Sequence, residues 1–434
     1  MSTASDTGPG GLVTRLGILR PLRIRDFALL WAGATVSLAG DGVYVVALAW
    51  QVYDLSNSPT ALSLVGVAWT VPLGLFLLLG GVVSDRVERR RVMIAADIAR
   101  ALAVGTMGVL SVTGAVELWH LIALAAVFGV GEAFFGPAFT SIVPQIVPRE
   151  LLVQANSLDQ FIRPFAFLLM GPALGGLLVA SLGAGEAFLL DAATFLVSAT
   201  AILLMRPRPL EREEREEGSS LVRDVREGFA FVRAHAWLWV TLLAAAVFLL
   251  VYWGPVEVLV PYRIRNELGG GPDDFGLVLA AGGVGSILAA LLLGQRGLPR
   301  RHITFMYSCW AIGCLALVGF GLAGAVWQLM AMSLVDGALA TAGLVVWGTL
   351  VQTLVPGALL GRVTSLDWLV STSLVPVSFA LTGPIAAGIG VQATFVAGGL
   401  IAATATALFL FVPGVRDTER EGALALGHSA PTRR

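Results

Sequence analysis

Apolar windows of about 20 residues recur along the chain, each long enough as a helix to cross a hydrocarbon layer of about 30 Å. Twelve can be drawn, at 27–52, 60–83, 92–114, 118–140, 157–180, 185–205, 237–260, 273–294, 303–323, 325–350, 366–389 and 391–412. Backbone in lipid must satisfy its own hydrogen bonds, which leaves only helices and closed barrels. These runs are too long for tilted strands and lack the alternating pattern of an outer-membrane barrel. Charged residues make up 13% of the chain, against about 25% in soluble domains. The expected fold class is an all-α membrane protein with twelve transmembrane helices.

Charge placement predicts its orientation. All 28 Lys and Arg residues are arginine. With the N-terminus in the cytoplasm, 24 of them fall in cytoplasmic segments, Arg263 and Arg265 in an outer loop, and Arg100 and Arg163 inside windows. The positive-inside rule selects that threading, with both termini cytoplasmic and the chain in the inner (cytoplasmic) cell membrane. The first 26 residues are polar and basic without a short apolar core before a cleavage site, so the first window is expected to act as an uncleaved anchor. Cys309 and Cys314, five residues apart in one window, lie on different helix faces and read as packing residues.

The chain also repeats itself. "VPQIVPRELLVQANSLD" (143–159) and "VQTLVPGALLGRVTSLD" (351–367) align without a gap at an offset of 208, with eight identities. "GPALGG" (171–176) is echoed by "GPIAAG" (383–388). Two six-helix halves in the same orientation follow, as parallel repeats. The expected organisation is a cytoplasmic segment 1–26, a first half 27–205, a linker 206–236, a second half 237–412 and a cytoplasmic tail 413–434. In the linker, Leu221, Val222, Val225, Phe229 and Val232 share one helical face, which predicts an amphipathic helix on the inner membrane surface. The preceding "EREEREE" reads as solvated linker.

Between the second and third windows stands "GVVSDRVERRR" (81–91). It resembles the loop signature of the major facilitator superfamily: Gly81, Asp85, Arg86, Arg89 and Arg90 match, Val83 stands for Leu, and Glu88 replaces a glycine. "GPALGG", with Gly171, Pro172, Gly175 and Gly176, resembles the antiporter signature of the same superfamily. "GPAFTSIVPQIVPRELLVQANSL" and "FLLDAATFLVSA" are similar to the drug:proton antiporter branch that includes macrolide and tetracycline exporters and the enterobactin exporter. The resemblance implies the major facilitator fold and a monomer. It implies that Gly81 lets the second helix approach a neighbour, and that Asp85 faces the positive end of the eleventh helix near Ser365. The arginines would then pair with inner-face carboxylates such as Asp159 or Asp367, forming a latch between halves that holds the cytoplasmic side shut and breaks during cycling. A bare topology signal needs arginines too, but neither Asp85 nor Gly81. In the antiporter signature, proline removes a backbone hydrogen bond and glycines remove bulk, which predicts a kinked, tightly packed helix.

Ionisable residues inside apolar windows are costly and mark candidate sites. Asp41, between two glycines in "SLAGDGVYVV", is the first proton-coupling candidate, because burial moves a carboxyl toward exchange near neutral pH. Its alternative is a structural hydrogen bond. Glu132 in "GVGEAFFGP" is the second, for protons or for a cationic substrate beside Phe134 and Phe135; its alternative is a partner for a buried arginine. Asp97 and Arg100, three apart on one face, are expected to neutralise each other, and Arg163 to find a carboxylate nearby; these three form a buried charge network. Asp191 reads as structural, and Asp159 and Asp367 as helix-start carboxylates. Glu257, Asp336, Trp253 and Trp347 are candidates for a substrate cavity, with Trp50, Trp69 and Tyr252 as further wall residues.

Without lysine the chain carries no phosphate-binding Gly-x-x-x-x-Gly-Lys loop, and its four histidines show no metal-ligand spacing. No nucleophile–base set is legible, no metal or other cofactor is called for, and the alternating charges of the linker are no nucleic-acid patch. The expectation is not an enzyme but a proton-coupled efflux transporter for a hydrophobic or amphiphilic small molecule, whose partners are that substrate, protons and the bilayer. Two alternatives stay open: an importer, uniporter or lipid transporter without proton coupling, and a non-transporting membrane receptor or assembly factor.

Overall fold

The computed structural model describes residues 17–207 and 221–420. Among them are twelve helices long and apolar enough to cross a membrane. They are α1 (Arg25–Ser56), α2 (Pro59–Arg86), α3 (Arg89–Val112), α4 (Leu118–Ile146), α5 (Leu152–Arg163 continuing through Pro164–Met170 to Gly171–Ser181) and α6 (Ala184–Leu203). After the linker come α7 (Ala236–Gly254 continuing through Pro255–Leu259 to Val260–Asn266), α8 (Pro272–Arg296), α9 (His302–Leu322), α10 (Val326–Leu354), α11 (Gly357–Ile389) and α12 (Val391–Phe409). The twelve windows read from the sequence coincide with these twelve helices. The protein is an all-α, multi-pass membrane protein.

The turns follow residue chemistry. Asn57 takes the left-handed conformation (φ 47°) between α1 and α2, and Pro59 begins α2 with its preset φ. Gly183 (φ 113°) joins α5 to α6, and Gly390 (φ 88°) joins α11 to α12. Their spacing, 390 − 183 = 207, matches the sequence repeat to one residue. Two helices change register where proline interrupts them: α5 widens to a π-helical turn over Pro164–Met170, and α7 does so over Pro255–Leu259.

The described residues divide into two compact units, one of 17–48 with 71–207 and one of 49–70 with 221–420. In the first, Phe27 and Leu30 of α1 pack with Met93 of α3, Ile142 and Ile146 of α4, Leu158 of α5 and Ile202 of α6. In the second, Trp237 and Leu238 of α7 pack with Met306 and Tyr307 of α9, Trp347 and Leu350 of α10 and Val363 of α11. Cys309 and Cys314 are free thiols buried in two separate small clusters. Large apolar side chains such as Leu78, Leu102, Leu177 and Leu408 stay exposed, as lipid-facing residues do.

The tip of the first hairpin is tied into the second unit. The Tyr53 hydroxyl donates to the Val258 carbonyl, Asn57 Nδ2 donates to Asn266 Oδ1 at 2.9 Å, and the Gly383 N–H donates to Ser63 Oγ at 3.1 Å. The linker does form a helix, Leu221–Ala234. Of its apolar face, Val232 is buried in the second unit's core and Phe229 is exposed, while the side chains of Leu221, Val222 and Val225 lie outside those described. Glu227 of this helix pairs with Arg362 of α11, so the helix rests on protein as well as presenting a face outward. The "EREEREE" segment lies outside the described residues.

Candidate functional site

The first unit concentrates charge around one residue of α1. Asp41 lies between Gly40 and Gly42, and each glycine admits a different neighbour. Gly40 abuts Asp191 and Thr194 of α6. Gly42 abuts α5: a methyl group there would lie 2.7 Å from the Phe167 carbonyl oxygen and 2.8 Å from Gly171 Cα. Gly175 meets α1 a turn later, where a methyl would lie 2.9 Å from Val43 Cα. The Gly-Pro-x-x-Gly-Gly segment, with Gly171, Pro172, Gly175 and Gly176 all buried, is thus the surface on which α1 rests beside Asp41. The helix is distorted as expected, but the π-helical turn begins at Pro164, before the motif, and Pro172 starts the regular helix that follows.

A buried ion pair stands across from α1. Arg100 of α3 binds Asp97 through Nη2 and Oδ1, as their spacing implied. Both side chains are almost fully buried. The guanidinium lies over the rings of Phe135 of α4, at 4.5 Å, and Phe195 of α6, at 4.4 Å. Gly131 of α4 leaves room for its stem: a methyl there would lie 2.6 Å from Arg100 Cγ. Phe135, expected as a face for substrate beside Glu132, is committed instead to Arg100. Ser198 of α6 adjoins Asp97.

These groups act on one another. Asp41 lies in the field of Arg100, Glu132, Asp97 and Arg163. Asp191 lies in the field of Asp41 and Arg100, and Tyr44 in that of Asp191, Asp41 and Glu132. Arg163 also acts on Asp159, one turn earlier on α5. The ring of Tyr44 stacks on Phe128 of α4 at 4.6 Å, which fixes α1 at this level. Five carboxyls (Asp41, Asp97, Glu132, Asp159, Asp191) and two arginines (Arg100, Arg163) are therefore linked in one network. Asp41 and Glu132 are half-buried and Asp191 is wholly buried. Asp41 Oδ1 is buried without a hydrogen-bond partner among the described residues. Asp191, set aside as structural in the sequence, belongs to the cluster. Its signal was a lone carboxylate in the apolar run "FLLDAATF", with Thr194 one turn on.

The basic hairpin is built differently from expectation. Gly81 meets nothing within 4 Å among the described residues; the close approach is made by Gly80, which abuts Ala133 and Phe134 of α4. Arg90 is engaged within the first unit. Its Nε donates to the Ile202 carbonyl at 2.9 Å and its Nη2 to that of Leu203, so it caps the carboxyl end of α6. Glu88, in the place of the usual glycine, pairs with Arg91 at 2.8 Å. Arg86 is exposed and Arg89 half-buried, and the side chain of Asp85 lies outside those described.

In the second unit, α7 and α10 bring Tyr252 and Asp336 together, the phenol donating to Asp336 Oδ2. Glu257, on the π-helical turn of α7, is half-buried and acts on Tyr252. Trp253 is 40% exposed. Trp347 is only 8% exposed, packs edge-on against Trp237 and donates to Asp367 Oδ2 at 3.2 Å, so it is a core residue and not a cavity wall. Trp50 lies under Arg265, which pairs with Asp54. Among the described residues no group of His, Cys, Asp and Glu is placed to hold a metal ion.

Known proteins resemble this chain over most of its length. The family described as transmembrane secretion effector matches residues 16–430. The chain is 30% identical to the multidrug efflux pump Tap of Mycolicibacterium fortuitum, covering 92% of this chain and 97% of that one. It is 23% identical to macrolide efflux protein A of Streptococcus pyogenes, covering 86% and 93%. Among solved structures, the nucleoside transporter NupG superposes with a TM-score of 0.70 at 10% identity, covering 89% of this chain and 99% of that one, a likeness of fold alone.

Proposed function

We propose that this chain, which belongs to the transmembrane secretion effector family within the major facilitator superfamily, exports a hydrophobic or amphiphilic small molecule in exchange for protons. That it is a membrane transport protein of this superfamily and not an enzyme is the premise; direction and coupling are our reading. The observation that carries it is Asp41. This half-buried carboxyl has an unsatisfied oxygen and lies in a cluster where carboxyls outnumber arginines. A charge left without a partner at membrane depth is expensive. Each proton taken up brings the cluster nearer neutrality, and each proton lost must be answered by another charge or by a change of shape. Such a site responds to protons, which is what exchange requires. Glu132 is the second candidate, on the same cluster.

Export is favoured over import because two relatives that cover most of the chain, Tap and macrolide efflux protein A, are efflux proteins by name. The seat of α1 on α5 gives the coupling a path. Asp41 lies on the stretch of α1 that rests on Gly171 and Gly175, so a change of charge at Asp41 bears directly on the helix crossing beside it. In a cycle of alternating access, one proton moving down about 100 mV supplies about 2.3 kcal/mol, enough for a roughly 50-fold gradient of an uncharged substrate.

The test uses everted membrane vesicles loaded with a pH dye and energised to an acid interior. Lipophilic cations, macrolides, tetracyclines and siderophores are added in turn. Compound-triggered proton release, absent from vesicles lacking the protein, is the expected result. Binding of a panel compound to the folded protein with no proton release by that compound would refute proton antiport and favour a uniporter.

A further inference from the structure

Resting on the reading of Asp41 as a proton site, we infer that Asp191 is a second protonation site, coupled to Asp41 around their common neighbour Arg100. Asp191 is wholly buried on α6, and its Oδ2 has no hydrogen-bond partner among the described residues. Its Oδ1 has one hydrogen-bond partner among the described residues, Thr194 Oγ1 at 3.1 Å. That hydroxyl carries a single proton, and the Asp191 backbone carbonyl lies closer to it, at 2.7 Å. When the threonine proton goes to the carbonyl, the oxygen of Thr194 is left as an acceptor facing the carboxyl. A protonated Asp191 fits that arrangement, with its O–H donating to Thr194 Oγ1 and the Thr194 O–H donating to the backbone. An ionised Asp191 has to take that single proton at Oδ1, over the longer 3.1 Å contact, and its Oδ2 still has no hydrogen-bond partner among the described residues.

Charge points the same way. The cation within reach of Asp191 is Arg100, which is already bound to Asp97 and held between two aromatic rings. From α1, Asp41 and Tyr44 face Asp191; Asp41 adds a like charge and Tyr44 adds none. Glu132 of α4 and Arg163 of α5 act on the cluster through Asp41. Gly40 sets the proximity: without a side chain, it lets Asp191 and Thr194 press against the α1 backbone one residue before Asp41. Two carboxyls that share one committed guanidinium titrate as a pair, not as independent groups. Asp191 is sealed whereas Asp41 is half-buried, so Asp41 is the member nearer to exchange with water. On uptake a proton adds to an Asp191 carboxylate oxygen; on release the same O–H bond breaks and the proton returns to water.

The experiment is an infrared pH titration of the full-length protein reconstituted in lipid, following the carbonyl stretch of protonated carboxyl groups. Wild type, Asp41→Asn and Asp191→Asn are compared, with near-ultraviolet circular dichroism as the check on folding. The expected result is that Asp191→Asn removes one titrating component and moves the midpoint of another, which Asp41→Asn removes. Asp191→Glu, the variant to use if the asparagine form does not fold, restores the component at a displaced frequency. A titration unchanged in Asp191→Asn, or a lost component that never titrated, overturns the inference and leaves Asp191 structural. If Asp41→Asn changes nothing while Asp191→Asn removes a titrating component, the reading of Asp41 fails and protonation of Asp191 stands, though its coupling to Asp41 is overturned.

Discussion

Gly42→Ala is the sharpest packing test at the site, with Gly81→Ala as its partner. Both glycines lie inside helices, so both substitutions bring the same gain of up to about 1 kcal/mol in helix propensity. That gain cancels when the two variants are compared. What remains is the added methyl. At Gly81 it meets nothing within 4 Å. At Gly42 it meets the Phe167 carbonyl oxygen at 2.7 Å and Gly171 Cα at 2.8 Å, both backbone atoms that no rotamer change can move aside. Ordinary contact begins near 3.4 Å, so α1 and α5 must separate by about 3.4 − 2.7 = 0.7 Å. Overpacking of this kind costs about 1–3 kcal/mol. Gly42→Ala is therefore expected to be less stable than Gly81→Ala by about that amount, measured by reversible unfolding in mixed micelles with increasing dodecyl sulfate. Stabilities equal within about 0.5 kcal/mol would refute the close seating of α1 on the Gly-Pro-x-x-Gly-Gly segment.

Other side chains give independent checks. Arg100→Met strands Asp97 and should destabilise the fold by about 3–5 kcal/mol, and adding Asp97→Asn should recover part of that loss in a double-mutant cycle. Trp347→Ala should cost about 3–5 kcal/mol in the same unfolding assay, as a core residue does. Trp253→Ala, exposed on α7, should change stability by less than about 0.5 kcal/mol. Arg90→Ala leaves the last carbonyls of α6 without their cation and should cost about 1–2 kcal/mol, with faster amide exchange confined to that helix end.

The fold was legible because lipid permits so few solutions. Twelve long apolar runs admit hardly any structure other than twelve helices. Local charge pairs were legible for the same reason that helices are: Asp97 and Arg100 meet because three residues bring them to one face. What convergence in space decides was not legible. Asp191 joins Asp41 across 150 residues, and no periodicity records that α6 turns this carboxyl toward α1. Trp347 and Trp253 look alike in apolar windows, yet one is core and the other is exposed. The error at Gly81 is one of helical phase, since one residue is about 100° of rotation and Gly80 holds the facing position. The assignment of 49–70 to the second unit rests on contacts such as Tyr53 with Val258, 205 residues apart, which carry no sequence signature.

The coupling role of Asp41 is tested most directly in proteoliposomes, with a compound that triggers proton release in the vesicle panel. Accumulation driven by an imposed pH gradient is measured for wild type and Asp41→Asn, alongside exchange of labelled for unlabelled compound without a gradient. The expected result is gradient-driven accumulation in wild type, none in Asp41→Asn, and exchange retained in both. Accumulation by Asp41→Asn equal to wild type would contradict the assignment of Asp41 as the proton site.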